Sequence, residues 1–496
     1  MAKRRRVIVV GAGIGGLTAG ALLAHRGYEV VMFDLADVPG GCASTFKRKG
    51  FTFDVGATQV AGLEPGGIHH RIFTELGVEL PAATYCDPAC AVYLPGETEP
   101  INIWRDRTKW QAERQRQFPG SEPFWQFLAE LFEPSWAFQS RDPILPPRSL
   151  WDLWQLVKAV RLDTLTTVPY TFSTVGDALR GFGLERDRRL RTFLDLQLKL
   201  YSQVNAEETA LLYAATSLAL SQSPLGLFHL KGSMQVLNDR LVQALKRDGG
   251  KLYMQHLVEA IDIPDRQDRN NAMRVKVRNR RTGETWWESA DEVVANVTVQ
   301  NLVQLLGDKA PRGYRDRVRK LKPASVAFVA YLGVDRAAIP SGCPPHLQFL
   351  DSYDSNRSLF VSVSQDGDGR APVGKATIIA SEFTDAAEWW ANDDYQAMKQ
   401  RYMERAIAQL GQFFHLEGNI VHAEAATPRT FARYTAREQG FVGGIGMRVS
   451  TFGPFGFANR TPVKHVWLVG DSTHPGEGTA GTSYSALTVV RQIVRG

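Results

Sequence analysis

The hydrophobic positions of this 496-residue chain fall into short β-branched runs and longer helical stripes. Residues 7–10 (VIVV) form the first run. A stretch of small and apolar residues with helical spacing follows, and a second run over residues 30–33 ends in Asp34. Two such runs joined by one helical stripe predict a β-α-β unit with parallel strands. Beyond residue 60 the pattern changes. Residues 61–100 carry turn sequences (GLEPGG, LPGETEP) and a short apolar run at 91–94. Residues 105–225 are mostly helical in spacing, rich in tryptophan, and broken by ILPP at 144–147. A helix over about 233–247, a Gly-Gly turn and further strands follow, one of them over 291–295. Residues 320–450 hold three strand-like runs and one long amphipathic helix, predicted over about 386–414. A last run over 466–469 leads into a glycine-rich turn and a helix predicted to enter at about Thr482.

The chemistry begins in the first turn, Gly11-x-Gly13-x-x-Gly16 with Gly15 inside it. Gly11 permits a tight turn, Gly13 lets backbone approach a diphosphate, and Gly16 lets helix pack on sheet. The diphosphate would sit at the helix N-terminus, where free N–H groups and the helix dipole favour an anion. Asp34, ending the second strand, is placed to accept from a ribose hydroxyl. A second Gly-Asp corner, Gly470-Asp471, lies at the far end of the chain. A dinucleotide with only one such corner has no use for it. FAD does, because its ribityl chain and ring need separate partners. Asp471 is placed for the diphosphate–ribityl region, and Gly481 and Thr482 for a helix whose dipole stabilises charge on a reduced flavin.

Several pieces in order, GAGIGGLTAGALLAHRGYEVVMFDLADVPGG, GFTFDVGAT, KGSMQVLNDRLVQAL, TPRTFARYT and GDSTHPGEGTAGTSYSAL, span nearly the whole chain. With them the chain resembles the FAD-dependent amine-oxidase superfamily, in its carotenoid desaturase/isomerase branch. The likeness is greatest to cyanobacterial 3′,4′-desaturases of monocyclic carotenoids, with the prolycopene isomerases as close neighbours. Many relatives carry Arg after the pair Gly40-Gly41. This chain has Cys42, then Ala43 and Ser44, and a backbone N–H or the Ser44 hydroxyl is expected to take over that contact.

The resemblance implies an α/β fold. A Rossmann-like FAD domain of amine-oxidase type would be interleaved with a mixed-sheet substrate domain and a helical, membrane-associating segment. The expected divisions are 1–100, 226–300 and 460–496 for the FAD domain, 105–225 for the helical insertion, and 301–459 for the substrate domain. Val258 follows the point where a strand passes the adenine. Thr58, Gln59, Phe328, Tyr331 and Phe441 are expected to line a substrate tunnel. The flavin is the reactive group, with oxygen or a quinone as electron acceptor. Glu477, in the Pro-Gly-Glu-Gly loop, is a candidate proton handler or a solvent-exposed carboxylate. Arg429 is a structural arginine or a gate.

Composition narrows the alternatives. A hydrophobic fraction of 44% with 22% charged residues is that of a folded chain. The net charge of +6 is modest, and the basic MAKRRR start has no companion nucleic-acid motif. Four cysteines with no paired C-x-x-C spacing give no zinc framework, so no metal is expected. Hydrolase and P-loop motifs are absent. No secretory leader and no apolar run of membrane-spanning length is found. The expected location is therefore the cytoplasmic face of a membrane, held peripherally. Residues 121–170, with Phe124, Trp125, Phe127, Leu128, Leu131 and Phe132 and then Trp151, Trp154, Val157 and Val160 beside Arg148, Lys158 and Arg161, have the make-up of an interfacial element. Their alternative role is a helical cap on the substrate domain. A carotenoid needs a long apolar tunnel with few hydrogen bonds. Its desaturation and its cis–trans isomerisation can use the same cradle. A non-catalytic prenyl-binding escort on this fold is the alternative of another class, and the intact loops at Asp34 and Asp471 argue against it.

Overall fold

The computed structural model describes residues 4–264, 272–323, 325–355, 357–391 and 394–495. Residues 1–3 of the basic start lie outside it. The predicted β-α-β unit is present as the strand Arg6–Val10, the helix Ile14–His25 and the strand Glu29–Asp34. These strands join a five-stranded parallel sheet in the order Val466–Leu468, Glu292–Ala295, Arg6–Val10, Glu29–Asp34, Lys251–Met254. Both faces are covered, as a parallel sheet requires. Val7, Val9, Val30 and Met32 meet the helices on one side. Ile8, Val10, Val31 and Phe33 meet a three-stranded antiparallel sheet, His256–Asp262, Met273–Asn279 and Thr285–Ala290, on the other. Close packing depends on glycine. A Cβ on Gly20 would stand 2.6 Å from Met32 Sδ, and one on Gly16 would stand 2.0 Å from the Gly11 carbonyl oxygen.

A seven-stranded mixed sheet forms the second layer system. Its order is Ile420–Ala426, Val326–Asp335, Lys375–Thr384, Ser358–Val363, His346–Leu350, Ala91–Tyr93, Ile101–Asn102. The strand Ala91–Tyr93 comes from the segment expected to be cofactor domain up to residue 100, yet it belongs to this second sheet. The predicted helix over 386–414 is two helices, Ala386–Trp390 and Tyr395–Leu410. Asp385 and Asp394 each accept a backbone N–H as separate N-caps, which starts the helix twice. The C-terminal helix runs Gly478–Arg495, four residues ahead of the predicted entry at Thr482. Gly476 and Gly478, both at positive φ, take the turn earlier.

A buried charged cluster ties the two halves together. Asp54, from the hairpin after the first β-α-β unit, accepts from Met234 N at 2.8 Å and from Thr45 Oγ1 at 3.1 Å. Its other oxygen pairs with Arg370, which also donates to the Leu230 carbonyl at 3.1 Å. Asp368 bonds His229 at 3.0 Å beside them.

Residues 107–219 form the helical block. Its helix Glu122–Ser140 buries Phe124, Trp125, Leu128, Leu131 and Phe132 in the core, which assigns that stripe to the cap role. The next helix, Leu150–Ala159, does the opposite. Leu150 is 87% exposed and Trp154 55%, and the apolar face continues through Leu162 (84%) to Phe172 (72%). Trp151 is only partly exposed and lies under the Arg491 guanidinium. Among the described residues no helix is long and apolar enough to cross a membrane.

Candidate active site

One cavity of about 1260 Å³ connects the sheet's carboxyl end to the helical block. Its first half is a backbone cradle. Gly11, Gly13, Ile14 and Gly15 line it at the start of the first helix, which has no side-chain cap. A Cβ on Gly11 would come within 2.7 Å of the Asn296 carbonyl oxygen, at a φ of +91°. The opposite wall is Gly40, Gly41 and Cys42. The Gly40 N–H donates to the Ala12 carbonyl at 2.7 Å, which holds the two glycine turns face to face. Asp34 lines the cradle and clamps it: its two oxygens accept from Ala12 N (2.6 Å) and Ala36 N (2.7 Å). Burial pushes its carboxyl up, against the pull of those two bonds. Val258 lines the same end, from the strand His256–Asp262.

The far chain end closes the cradle. Gly470, Asp471, Gly481 and Thr482 all line it. Gly470 adopts a φ of +125°, and its N–H donates to Ser485 Oγ at 3.1 Å. Asp471 accepts from Arg437 Nη2 at 2.6 Å. Arg437 is a cavity residue that the sequence reading passed over in favour of Arg429. Its signal was its place in TAREQG, just before the glycine-rich GFVGG stretch, but a lone arginine in a polar loop does not announce a partner 34 residues away. The Arg437 guanidinium and the Asp471 carboxylate both act on Cys42, whose thiol burial pushes up. So a cation does stand at the Gly40-Gly41 corner. It comes from another segment, not from residue 42. Ser44 is not part of the cavity wall; its carbonyl accepts from Val55 N at 2.9 Å.

A diphosphate-bridged dinucleotide fits this arrangement. A glycine-floored helix N-terminus faces Gly41, a strand edge stands at the adenine end, and Asp471 with Arg437 stands between cradle and tunnel. Side chains at Gly11, Gly13 or Gly15 would collide with Asn296, at 2.7, 2.9 and 2.8 Å from its atoms, so the glycines let this turn pack tightly against the loop that follows Glu292–Ala295.

The second half of the cavity is mostly apolar, with Ala57, Ala61, Leu145, Leu212, Leu227 and Val329 in its walls. Thr58 and Gln59 line it as expected, and Gln59 Nε2 donates to the Ala89 carbonyl at 2.8 Å. Three expected tunnel residues do not. Phe328 is fully buried on the opposite side of its strand, stacked on Trp389 at 6.1 Å. Its neighbours Ala327 and Val329 are the ones in the wall, because side chains alternate across a strand. Tyr331 shares their face but is sealed by Phe46 and Phe53, and its hydroxyl donates to the Val55 carbonyl at 2.6 Å. Phe441 joins the core behind the sheet, while Val442 and Gly443 reach the cavity. Arg429 is structural: Nε donates to the Trp389 carbonyl at 2.9 Å, and its guanidinium lies 4.6 Å from the Tyr395 ring centre.

Glu477 lines the cavity where the two halves meet, and it is not a solvent-exposed carboxylate. Burial, and next the Asp471 carboxylate, push it up to about 8. His474, bonded to Gln139 at 2.8 Å, is pushed down to about 4 by burial and stays neutral. The helical block supplies the outer mouth. Leu156, Thr164, Thr167, Val168 and Thr171 line it, and Val168 is at the same time part of the exposed apolar face.

Comparison with known proteins agrees with this layout. Residues 9–76 match the NAD(P)-binding Rossmann-like domain family. The chloroplastic prolycopene isomerase of Daucus carota is 26% identical over 510 residues, covering 98% of this chain and 79% of that protein. The 4,4′-diapophytoene desaturase (4,4′-diapolycopene-forming) of Methylomonas sp is 25% identical over 528 residues, covering 100% and 96%. Among solved structures, cyclohexylamine oxidase from Brevibacterium oxydans superposes with a TM-score of 0.62 at 16% identity, over 99% and 100% of the two chains, and so shares the fold.

Proposed function

We propose that this relative of carotenoid desaturases and prolycopene isomerases is an FAD-dependent oxidoreductase that desaturates a carotenoid, introducing the 3′,4′ double bond of a monocyclic one. The observation that carries the reading is the single cavity in which a glycine cradle for a dinucleotide opens directly into a long apolar arm. FAD supplies hydride acceptance, chemistry that no side chain offers. The chain's own residues do the rest. Gly11, Gly13, Gly15 and Gly41 hold the diphosphate, Asp34 the ribose, and Asp471 with Arg437 the region next to the ring. Ala57, Ala61, Leu227 and Val329 exclude water and hold an apolar chain against the cradle.

The exposed face from Leu150 to Phe172 borders the cavity mouth at Val168, so it fits a lipid surface from which an insoluble substrate passes inward. The enzyme is accordingly read as peripherally membrane-bound, with oxygen or a membrane quinone taking the electrons. Expression in cells that accumulate monocyclic or acyclic carotenoids, followed by mass spectrometry of the pigments, tests the reaction. A product two hydrogens lighter is expected. Products isobaric with their substrates would transfer the assignment to a cis–trans isomerase, the reading favoured by the 26% identity to the carrot isomerase. A purified chain without flavin absorbance after incubation with FAD would sink both and leave the escort reading.

A further inference from the structure

One continuous polar chain runs from the cradle into the apolar arm. Asp471 accepts from Arg437 Nη2 at 2.6 Å, and Arg437 Nη1 donates to the Gly443 carbonyl at 3.0 Å. The next backbone N–H, that of Gly444, donates to Glu477 Oε2 at 3.3 Å. Gln203 Nε2 donates to the same oxygen at 2.8 Å. The chain then ends on two buried oxygens that have no hydrogen-bond partner in the protein, Glu477 Oε1 and Gln203 Oε1. Both residues line the cavity.

An unpaired buried acceptor costs about 1–3 kcal/mol, and here two stand side by side at the end of one hydrogen-bonded chain, on a carboxyl and the amide bonded to it, which marks a spot where a proton belongs. A proton on Glu477 Oε1 turns one of the two acceptors into a donor. The charged and titratable groups facing the pair are Asp471 and Arg437 from the cradle, Lys199 from the helix Arg188–Ser202 and Tyr213 from the helix Leu211–Ala219. Lys199 is itself anchored, through a 3.2 Å bond to the Gln203 carbonyl, and burial lowers it. The Tyr213 hydroxyl is committed to the Tyr201 carbonyl. Among these groups, Glu477 is the cavity-lining carboxyl that has an oxygen without a hydrogen-bond partner.

We propose that Glu477 is the proton port of this cavity: its Oε1 accepts the proton that a bound carotenoid loses, and Gln203 positions the carboxyl for it. The proposal rests on the desaturase reading above. In that reaction one C–H bond gives up a hydride, with its electron pair, to the bound flavin. The C–H bond on the adjacent carbon breaks the other way: its electron pair becomes the new C=C π bond, and its proton forms an O–H bond on Glu477. A neutral resting carboxyl must shed its own proton first, so turnover rises with pH as Glu477 ionises near 8.

The test uses flavin-loaded wild type, Glu477→Gln and Gln203→Leu, with γ-carotene in liposomes as substrate. Anaerobic flavin bleaching is followed from pH 6 to 10. Protonated-carboxyl absorption in the infrared is titrated on the same proteins without substrate. Wild type is expected to show bleaching that rises through about pH 8, and a carboxyl band lost with the same midpoint. Glu477→Gln is expected to keep its flavin, lose that band and bleach about a hundredfold or more slowly with no pH inflection. Gln203→Leu removes a bond that favours the ionised form, so its inflection and its band should both move to higher pH. A Glu477→Gln protein that bleaches like wild type, or a carboxyl band near pH 8 that survives in it, overturns the port while leaving the desaturase reading standing. A wild type that keeps its flavin and its titrating band but is bleached by no carotenoid overturns the desaturase reading, and with it the proton transfer.

Discussion

Removing the exposed apolar face should release the protein from lipid without touching the cofactor site. Leu150, Leu162 and Phe172 are 87%, 84% and 72% exposed, and the fold covers only a minor part of their surface, at Phe172 the edge facing Phe455. Burying such a side chain contributes about 1.5–3 kcal/mol. Even the lower value, scaled by those exposures, gives the three together about 4 kcal/mol of insertion free energy. Each 1.4 kcal/mol is tenfold in an equilibrium constant. The triple variant Leu150→Ser, Leu162→Ser, Phe172→Ser should therefore bind liposomes at least a hundredfold more weakly. Its flavin absorbance and melting temperature should match wild type, because none of the three supports the core. Trp151→Ser makes a poor probe, since Trp151 lies half-covered under Arg491 and its loss would blur membrane contact with packing. Co-sedimentation with vesicles, titrated over lipid concentration, reads the partition directly. Wild-type binding by a folded, flavin-bearing triple variant would refute the idea that this face meets the bilayer.

Gly13→Val should give a soluble chain that no longer retains flavin. A Cβ there would stand 2.9 Å from Asn296 Nδ2, which donates to the Gly11 carbonyl, so the branched side chain would displace Asn296 and distort the glycine turn; full flavin occupancy would argue against that diphosphate site. Gly16→Ala should instead fail to fold, because its Cβ would lie 2.0 Å from the Gly11 carbonyl oxygen, and a normal circular-dichroism melt would contradict this. Arg437→Met should weaken FAD retention by about tenfold or more, measured by equilibrium dialysis, since it strips the buried Asp471 of its cation. Asp54→Asn should destabilise the protein by up to about 3–5 kcal/mol, because buried Arg370 loses its nearer carboxylate and keeps only Asp368 at 3.4 Å, whereas Asp54→Leu with Arg370→Met should recover part of it in denaturant titration.

The elements that could be read from sequence were those whose chemistry is local. Gly11, Gly13, Gly16 and Asp34 fix a turn and a strand end within one β-α-β unit, and the structure places them as read. Strand existence was equally legible, but strand parity was not. Phe328 and Val329 are both apolar, and only the packing of Trp389 on one side and a cavity on the other decides which of them faces the cavity. The stripe Phe124–Phe132 shows a similar limit. Helical spacing reveals that a face is apolar, not what covers it, and here the block's own helices do. Arg437 was missed for a third reason. Its meaning lies in a contact with Asp471, and no local pattern encodes a pairing between two loops.

The strand Arg6–Val10 sits at the centre of its sheet, yet its two neighbours arrive at very different times. Glu29–Asp34 follows it within a few dozen residues, whereas Glu292–Ala295 lies nearly three hundred further on, and the Gly470–Asp471 corner comes near the end. At a synthesis rate of about 5–20 residues per second, roughly 25–90 seconds separate the first glycine turn from the corner that completes the cradle. During that interval an apolar strand edge stands open, and the dinucleotide has only half a site. Cofactor capture is thus a late event in the life of this chain, and until then its safety depends on whatever shields that edge from pairing with other chains.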